Sequence, residues 1–203
     1  MSELEAIAQE IAECHRCELA KSRQLTVPGE GNPQAEIVFV GEAPGWYENQ
    51  QGRPFVGPAG QFLAELLESV SLQRSDVFIA NVVKCRPPQN RDPLPEEIEA
   101  CSGYLERQLA AIKPKLVVTL GRHSMGRFFP PGKSIRDLHG TTCMKNGVLC
   151  YAMYHPAAAL HQPSLRRTIE QDMLKVPSLL AAVGNVGRAE QPPEDDLSQL
   201  SLF

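Results

Sequence analysis

No apolar run in this sequence approaches the ~18 residues needed to cross a bilayer. The first residues, Met-Ser-Glu-Leu-Glu-Ala, carry neither the basic segment nor the apolar segment of a secretory leader. Both absences lead to the expectation of a cytosolic chain with no membrane partner. Positive charge is not in excess either. Twenty Lys+Arg stand against 24 Asp+Glu, a formal net charge of −4, which argues against a protein that coats nucleic acid non-specifically. The acidity gathers at the end, where residues 184–203 hold Glu190, Glu194, Asp195 and Asp196 against Arg188 alone. The main body is therefore close to neutral and can still present its basic residues on one face to a polyanion. Internal repeats are lacking, and so are the G-x-G-x-x-G spacing and the P-loop Lys-Ser/Thr pair that cradle nucleotide phosphates. What is present is a 42% hydrophobic content over 203 residues, enough for one compact domain with a full core and too much for a disordered chain.

Ser2 and Glu5 have the spacing of a capping box, and residues 3–13 read as a short amphipathic helix. Four runs rich in Val, Ile, Phe and Leu follow at 36–40, 77–81, 115–120 and 148–154. Helical patterns lie between them at 58–70, 96–112 and 122–129, with a last helix expected over 165–182. Strands alternating with helices predict an α/β fold: three layers, α/β/α, around a central four-stranded parallel sheet. Residues 1–183 are expected to form this domain. Residues 184–198 are polar, rich in Gly, Pro and acids, and aperiodic, and read as a disordered tail.

In such a sheet, ligands sit beyond the carboxyl ends of the strands. The first strand runs into Gly41-Glu42-Ala43-Pro44-Gly45, the second ends at Asn81, and the fourth runs into His155-Pro156. A carboxylate, an amide and an imidazole thus converge on one edge. Each alone would pass as an ordinary loop residue; their shared location makes the edge a candidate site, with ordinary loop roles still open. The stretch Gly52-Arg53-Pro54-Phe55-Val56-Gly57 adds an aromatic ring that serves either as loop packing or as a stacking surface for a planar ligand.

The six cysteines point to metal or catalysis in a reducing compartment. Cys14-x-x-Cys17 follows the first helix, Cys85 lies in Lys84-Cys85-Arg86-Pro87-Pro88, and Cys101 lies in a helical stretch. Four thiolates bind zinc or a [4Fe–4S] cluster. A second C-x-x-C is missing, which disfavours a zinc ribbon, but composition leaves the metal open. Cys143 and Cys150 read as buried small hydrophobes.

Taken in order, Gly41-Glu42-Ala43-Pro44-Gly45, Gly52 to Gly57, Asn81-Val82-Val83-Lys84-Cys85-Arg86-Pro87-Pro88, Asn90-Arg91 and His155-Pro156, with Cys14-x-x-Cys17 and Cys101, closely resemble the iron–sulfur, family 4 uracil-DNA glycosylases. The resemblance covers about residues 3–182. It implies that Cys14, Cys17, Cys85 and Cys101 ligate a [4Fe–4S] cluster of mainly structural role. It implies that Phe55 stacks on a flipped uracil, that Asn81 reads its Watson–Crick edge, and that Glu48 crowds the C5 edge where thymine carries a methyl. Gly41, Glu42 and Ala43 would line the pocket. His155 would donate to uracil O2, Glu42 would position water and favour a cationic sugar, and Asn90 would share in holding that water. Relatives place two leucines and an Arg after the His-Pro pair; here Ala159 and His161 replace the first leucine and the Arg, leaving Leu160 as the wedge that fills the gap left by the base. His161, Arg166 and Arg167 are candidates for phosphate contact.

The implied enzyme is a monomeric, monofunctional glycosylase acting on uracil-containing DNA. The cross-linking relative of the family carries an extra basic, His-containing loop after the second strand, absent here because Cys85-Arg86-Pro87-Pro88 runs directly into Gln89-Asn90. A non-enzymatic cluster protein is opposed by the joint presence of Glu42, Asn81 and His155. At the C-terminus, Gln199-Leu200-Ser201-Leu202-Phe203 is similar to the pentapeptide by which bacterial proteins bind the DNA polymerase sliding clamp. The polar linker before it would reach on the order of 20 Å as a coil.

Overall fold

The computed structural model describes residues 1–189. A six-stranded sheet runs in the order β1-β3-β2-β4-β6-β5. Its centre is β2 (Ile37–Gly41), β3 (Phe78–Asn81), β4 (Leu116–Leu120) and β6 (Val148–Met153), all parallel. These are the four strands expected from the sequence. Every residue of β2, β3 and β4 is buried, which is why they read as unbroken apolar runs rather than alternating ones: helices cover both faces. On one face Val38, Val40, Phe78 and Val117 pack against α1 (Glu3–Ala12), α4 (Pro95–Ile112) and α5 (Arg122–Phe128). On the other, Ile37, Phe39, Val118 and Tyr151 pack against α3 (Pro58–Ser69) and α8 (Leu165–Met173). The result is the expected three-layer α/β/α arrangement, with the short helices α2 (Trp46–Gln51) and α6 (Ile135–Leu138) in the connections.

The sheet is mixed rather than purely parallel, which corrects the four-stranded expectation. β1 (Glu30–Gly31) and β5 (Thr142–Lys145) add antiparallel edges to β3 and β6. Neither has an apolar run: β1 is two residues long, and the side chains of β5 are exposed or half-buried. The usable signal for β5 was Asn146-Gly147, whose φ values of +50° and +79° make the tight turn between β5 and β6.

The capping box is formed: Glu5 N–H donates to Ser2 Oγ at 3.2 Å and Ser2 N–H to Glu5 Oε2 at 2.7 Å, an arrangement contributing about 1 kcal/mol. The long helix expected over 165–182 is instead two, α8 and α9 (Val176–Ala189). Pro177 explains the break, since it has no N–H to give the carbonyl of Met173 and its ring would strike that carbonyl. Helix α9 carries the first six residues of the stretch expected to be irregular from residue 184. Residues 190–203, with Gln199, Leu200, Ser201, Leu202 and Phe203, lie outside the described residues. No described helix is long and apolar enough to cross a membrane.

The chain leaves β2 for its neighbour β3, then crosses back over β2 to β4. That reversal is the switch point at which open α/β sheets bind ligands. It places Glu42, Asn81, Gly121 and His155 around one opening.

Candidate active site

A cavity of about 630 Å³ occupies this opening. It is lined by Glu42, Ala43, Glu48, Phe55, Asn81, Asn90 and His155, seven of the residues picked out from the sequence. Gly41 belongs to its wall by what it lacks: a Cβ there would lie 2.3 Å from Asn81 Oδ1 and 2.7 Å from Phe55 Cζ. Leu160 does not line the cavity; it stands exposed on α7 (Pro156–His161), whose Ala157, Ala158 and His161 do.

Asn81 ends β3 and is 2% exposed. Its Oδ1 is buried with no hydrogen-bond partner among the described residues. A buried acceptor left unpaired costs about 1–3 kcal/mol, so a ligand that brings a donor to this place relieves that cost. His155 sits at the start of α7 and its Nδ1 accepts from Ala157 N–H at 3.1 Å. The other nitrogen, Nε2, therefore carries the proton. Burial pushes this imidazole down to about 4, against the opposing pull of the Glu48 charge. At neutral pH it is an uncharged donor. Its ring faces that of Phe55, with centroids 5.4 Å apart and planes 24° from parallel.

Phe55 adopts a φ of +53°, a left-handed conformation that costs a residue with a side chain of order 1–3 kcal/mol. The surrounding bonds hold it there. Arg74 donates from Nη1 to Phe55 O at 3.0 Å and from Nη2 to Pro54 O at 2.7 Å. Glu48 Oε1 accepts from Val56 N–H and Gly57 N–H at 2.9 and 3.0 Å, and its Oε2 accepts from Gly45 N–H at 3.1 Å. Hydrogen bonds to charged groups contribute ~1.5–3 kcal/mol each, so the clamp outweighs the strain. Gly60 completes it, because a Cβ there would fall 1.9 Å from Phe55 O. Glu48 thus lines the cavity with both carboxylate oxygens already engaged in tying the 45–57 loop together.

The acid end is built from more than Glu42. His123 Nε2 lies 3.8 Å from Glu42 Oε2 and 3.5 Å from Asp92 Oδ1. Arg122 pairs with Asp92 and donates from Nε to His123 Nε2 at 3.1 Å. Desolvation raises the Glu42 carboxyl above the usual range, with His123 opposing the rise and Asp92 adding to it. Asn90 Oδ1 accepts from Arg86 Nε at 2.7 Å, which leaves its amide N–H₂ as the group able to serve the cavity.

The four cysteines picked out from the sequence come together. Cys14 follows α1, Cys17 precedes a 3₁₀ turn at Glu18–Lys21, Cys85 follows β3 and Cys101 lies in α4. All four line one small cavity with Arg23, Lys84 and Tyr104. Arg23 Nη1 donates to Cys14 O at 2.6 Å and to Cys85 Sγ at 3.4 Å, and the backbone N–H of Lys84 donates to Cys101 Sγ at 3.3 Å. Desolvation raises both buried thiols, Cys101 to about 11. Four thiols from three segments, with N–H donors aimed at the sulfurs of Cys85 and Cys101, fit a soft metal centre. Cys143 and Cys150 lie elsewhere, opposite each other on β5 and β6.

The uracil DNA glycosylase superfamily model matches residues 28–179. This chain belongs to that superfamily. It is 48% identical over 191 residues to a type-4 uracil-DNA glycosylase of Sulfurisphaera tokodaii, covering 88% of this chain and 86% of the relative. It is 47% identical over 191 residues to that of Archaeoglobus fulgidus, covering 88% and 94%. It is 41% identical over 186 residues to that of Thermotoga maritima, covering 89% and 96%. A type-5 uracil-DNA glycosylase of Pyrobaculum aerophilum is 34% identical over 161 residues.

Within this superfamily site, sequence reading missed Arg74, Asp92, Arg122 and His123. Arg74 is remote in sequence from the loop it clamps. Arg122 and His123 follow β4, a strand end to which the same rule points.

Proposed function

We propose that this protein is a monofunctional uracil-DNA glycosylase that hydrolyses the N-glycosidic bond of deoxyuridine in DNA. The observation that carries the reading is the unpaired, buried Oδ1 of Asn81 in a cavity that also holds the neutral imidazole of His155. The Asn81 amide accepts from uracil N3–H and donates to O4. Cytosine presents an acceptor and a donor in the opposite places and is rejected. Phe55 stacks on the base. Water adds to C1′ of the sugar while the bond to N1 breaks, so positive charge grows on the sugar and negative charge on the base. His155 Nε2–H donates to uracil O2 and stabilises the leaving anion. Glu42, ionised, orients the water, takes up its proton and favours the cationic sugar, and the Asn90 amide shares in holding that water. Uracil takes its N1 proton from solvent. Leu160, exposed beside the opening, fills the place of the extruded base.

Cys14, Cys17, Cys85 and Cys101 hold a [4Fe–4S] cluster in this reading. When bound, the cluster supplies a covalent tie between α1, the segment after β3 and α4 rather than a chemical step. The protein acts as a monomer on uracil-containing DNA at the bacterial nucleoid.

The test is incision of a uracil-containing oligonucleotide after alkaline treatment, with a denaturing gel for adducts. Free uracil and an abasic strand are expected, with no covalent complex. Intact oligonucleotide would overturn the reading, and a persistent adduct would replace it with the cross-linking one. The run from Cys85 into the short turn at Pro88–Asn90, with no inserted loop, supports the hydrolytic outcome.

The pentapeptide at 199–203 is read as a sliding-clamp ligand. Gln199 provides polar anchoring, and Leu202 with Phe203 provide an apolar anchor. Deleting residues 199–203 should leave excision on short free oligonucleotides unchanged and abolish binding to purified bacterial clamp. A tail peptide should bind on the order of micromolar, because it loses conformational entropy on docking. Equal, undetectable binding by full-length and truncated protein at high micromolar concentration would remove the clamp as a partner.

A further inference from the structure

Lys84 is 1% exposed, and no carboxylate pairs with it among the described residues. Its ammonium donates to the backbone carbonyl of Asn81 at 2.9 Å and to Gln108 Oε1 at 2.7 Å. Gln108 is itself buried, and its Nε2 donates to Pro28 O at 2.7 Å. Burying an ammonium is costly unless its donors are satisfied, and nothing in the mechanism above uses this one. The placement gives it a purpose. Asn81 is the last residue of β3, so its carbonyl faces the end of the ladder; the next two amides, Val82 N–H and Val83 N–H, have already crossed to Gly41 O and Glu42 O. Lys84 turns back to supply the donor. Gln108 stands on α4, two turns beyond Cys101 on the same side of the helix, and the backbone N–H of Lys84 reaches Cys101 Sγ at 3.3 Å.

We propose that Lys84 and Gln108 are positioning residues that fix Asn81 against α4, so that the four-cysteine region sets the placement of the base-reading amide. This rests on the reading of Asn81 as the residue that recognises uracil. The helix carrying a cluster ligand also carries the acceptor that orients Lys84, and Lys84 in turn holds the carbonyl of the residue whose side chain meets the base. A shift of about 1 Å in such a group costs up to ~10²-fold in rate. The relay therefore gives a centre distant from the chemistry an influence on recognition, with no electron transfer or exchange of ligands.

The test uses holoprotein variants Lys84→Met, Gln108→Leu and Gln108→Glu, with Asn81→Ala as reference. Lys84→Met keeps the buried stem and removes the charge together with both bonds. Iron content and visible absorption should stay at wild-type level. The inhibition constant for free uracil and KM should rise together, and kcat/KM should fall about 10-fold to 100-fold. Gln108→Leu should move the same quantities in the same direction. Gln108→Glu keeps the acceptor for Lys84 while losing the bond to Pro28 O, and should hold the uracil inhibition constant closer to wild type than Gln108→Leu does. A purely structural role would lower the melting temperature of all three without a change in uracil inhibition. If Lys84→Met does not fold, the two Gln108 variants decide. Unchanged inhibition and kcat/KM in Lys84→Met or Gln108→Leu, with Asn81→Ala inactive, overturns the relay. Wild-type kcat/KM in Asn81→Ala instead overturns the base-reading role, whatever Lys84 does.

Discussion

Replacing His155 by Ala should lower the single-turnover rate of uracil release by roughly 10²–10³-fold, the scale of losing one donor to a developing oxyanion. Binding to uracil-containing DNA should change much less. The reason lies in two features of the ring. Nδ1 is committed as an acceptor to Ala157 N–H, so Nε2–H is the donor, and burial holds the imidazole near 4, so it enters the reaction uncharged. A neutral donor stabilises charge that appears only as the bond breaks, and it gives little to the ground state. The same features set the pH behaviour. The folded value lies below the ordinary His value of 6.5, so the unfolded chain binds more protons between about pH 4 and 6.5, and stability from this group is lost as pH falls through that window. Protonation also removes the acceptor that Ala157 N–H requires. Glu42, raised by desolvation, loses its charge at a higher pH than an ordinary carboxyl does on acidification. The rate should therefore be flat above neutrality and fall on acidification, and His155→Ala should retain only the limb due to Glu42. Wild-type turnover in His155→Ala would show that the ring does not serve the leaving group.

Much of this site was readable because strand ends in an α/β sheet are also sequence boundaries. Gly41-Glu42, Asn81 and His155 each follow an apolar run directly, and parallel pairing brings the ends together, with Gly41 opposite Asn81 in register. The four central strands were equally visible, since burial on both faces leaves an unbroken apolar stretch. The groups that hold the site were not readable in this way. Arg74 reaches Phe55 from beyond α3, and the left-handed φ of Phe55 violates the preference that a sequence reader relies on. The resemblance gives Glu48 only a place at the C5 edge of the base, whereas its carboxylate also accepts three backbone N–H bonds that tie the loop together. Edge strands β1 and β5 pair on one side only and bury little, so their composition carries no strand signal. Local pattern reported what is buried by regular structure; long-range polar bonds among loops needed the fold itself.

Anaerobically purified protein should be brown and carry roughly four irons per chain, and Cys101→Ala should lose them. In the proposed cluster, Cys101 is the residue whose loss reaches furthest. It lies in the middle of α4, is buried, and receives the Lys84 N–H. Its removal would take away the bridge from α4 to the short region after α1 that carries Cys14 and Cys17, and would leave the segment after β3 tied to α4 by Lys84–Gln108 and Arg91–Glu97. That region has other ties: Arg23 to the carbonyls of Cys14 and Ala12, Arg107 to Glu10, and the packing of Ile7 and Ile11 in the core. The protein should accordingly fold without its cluster at reduced melting temperature rather than fail to fold. Burial then acts in reverse, because the remaining buried thiol, Cys85, has its protonated form favoured by desolvation, and a proton must leave each thiol before metal returns. Cys150→Ala is the matched control: a buried cysteine opposite Cys143 in the β5–β6 pair, whose loss should leave iron content unchanged. One equivalent of zinc and no iron in the wild-type protein would overturn the cluster. Full iron in Cys101→Ala would show that α4 contributes no ligand, and the tie between α4 and the segment after β3 would then rest on the Lys84 amide, Gln108, the Arg91–Glu97 pair and packing alone.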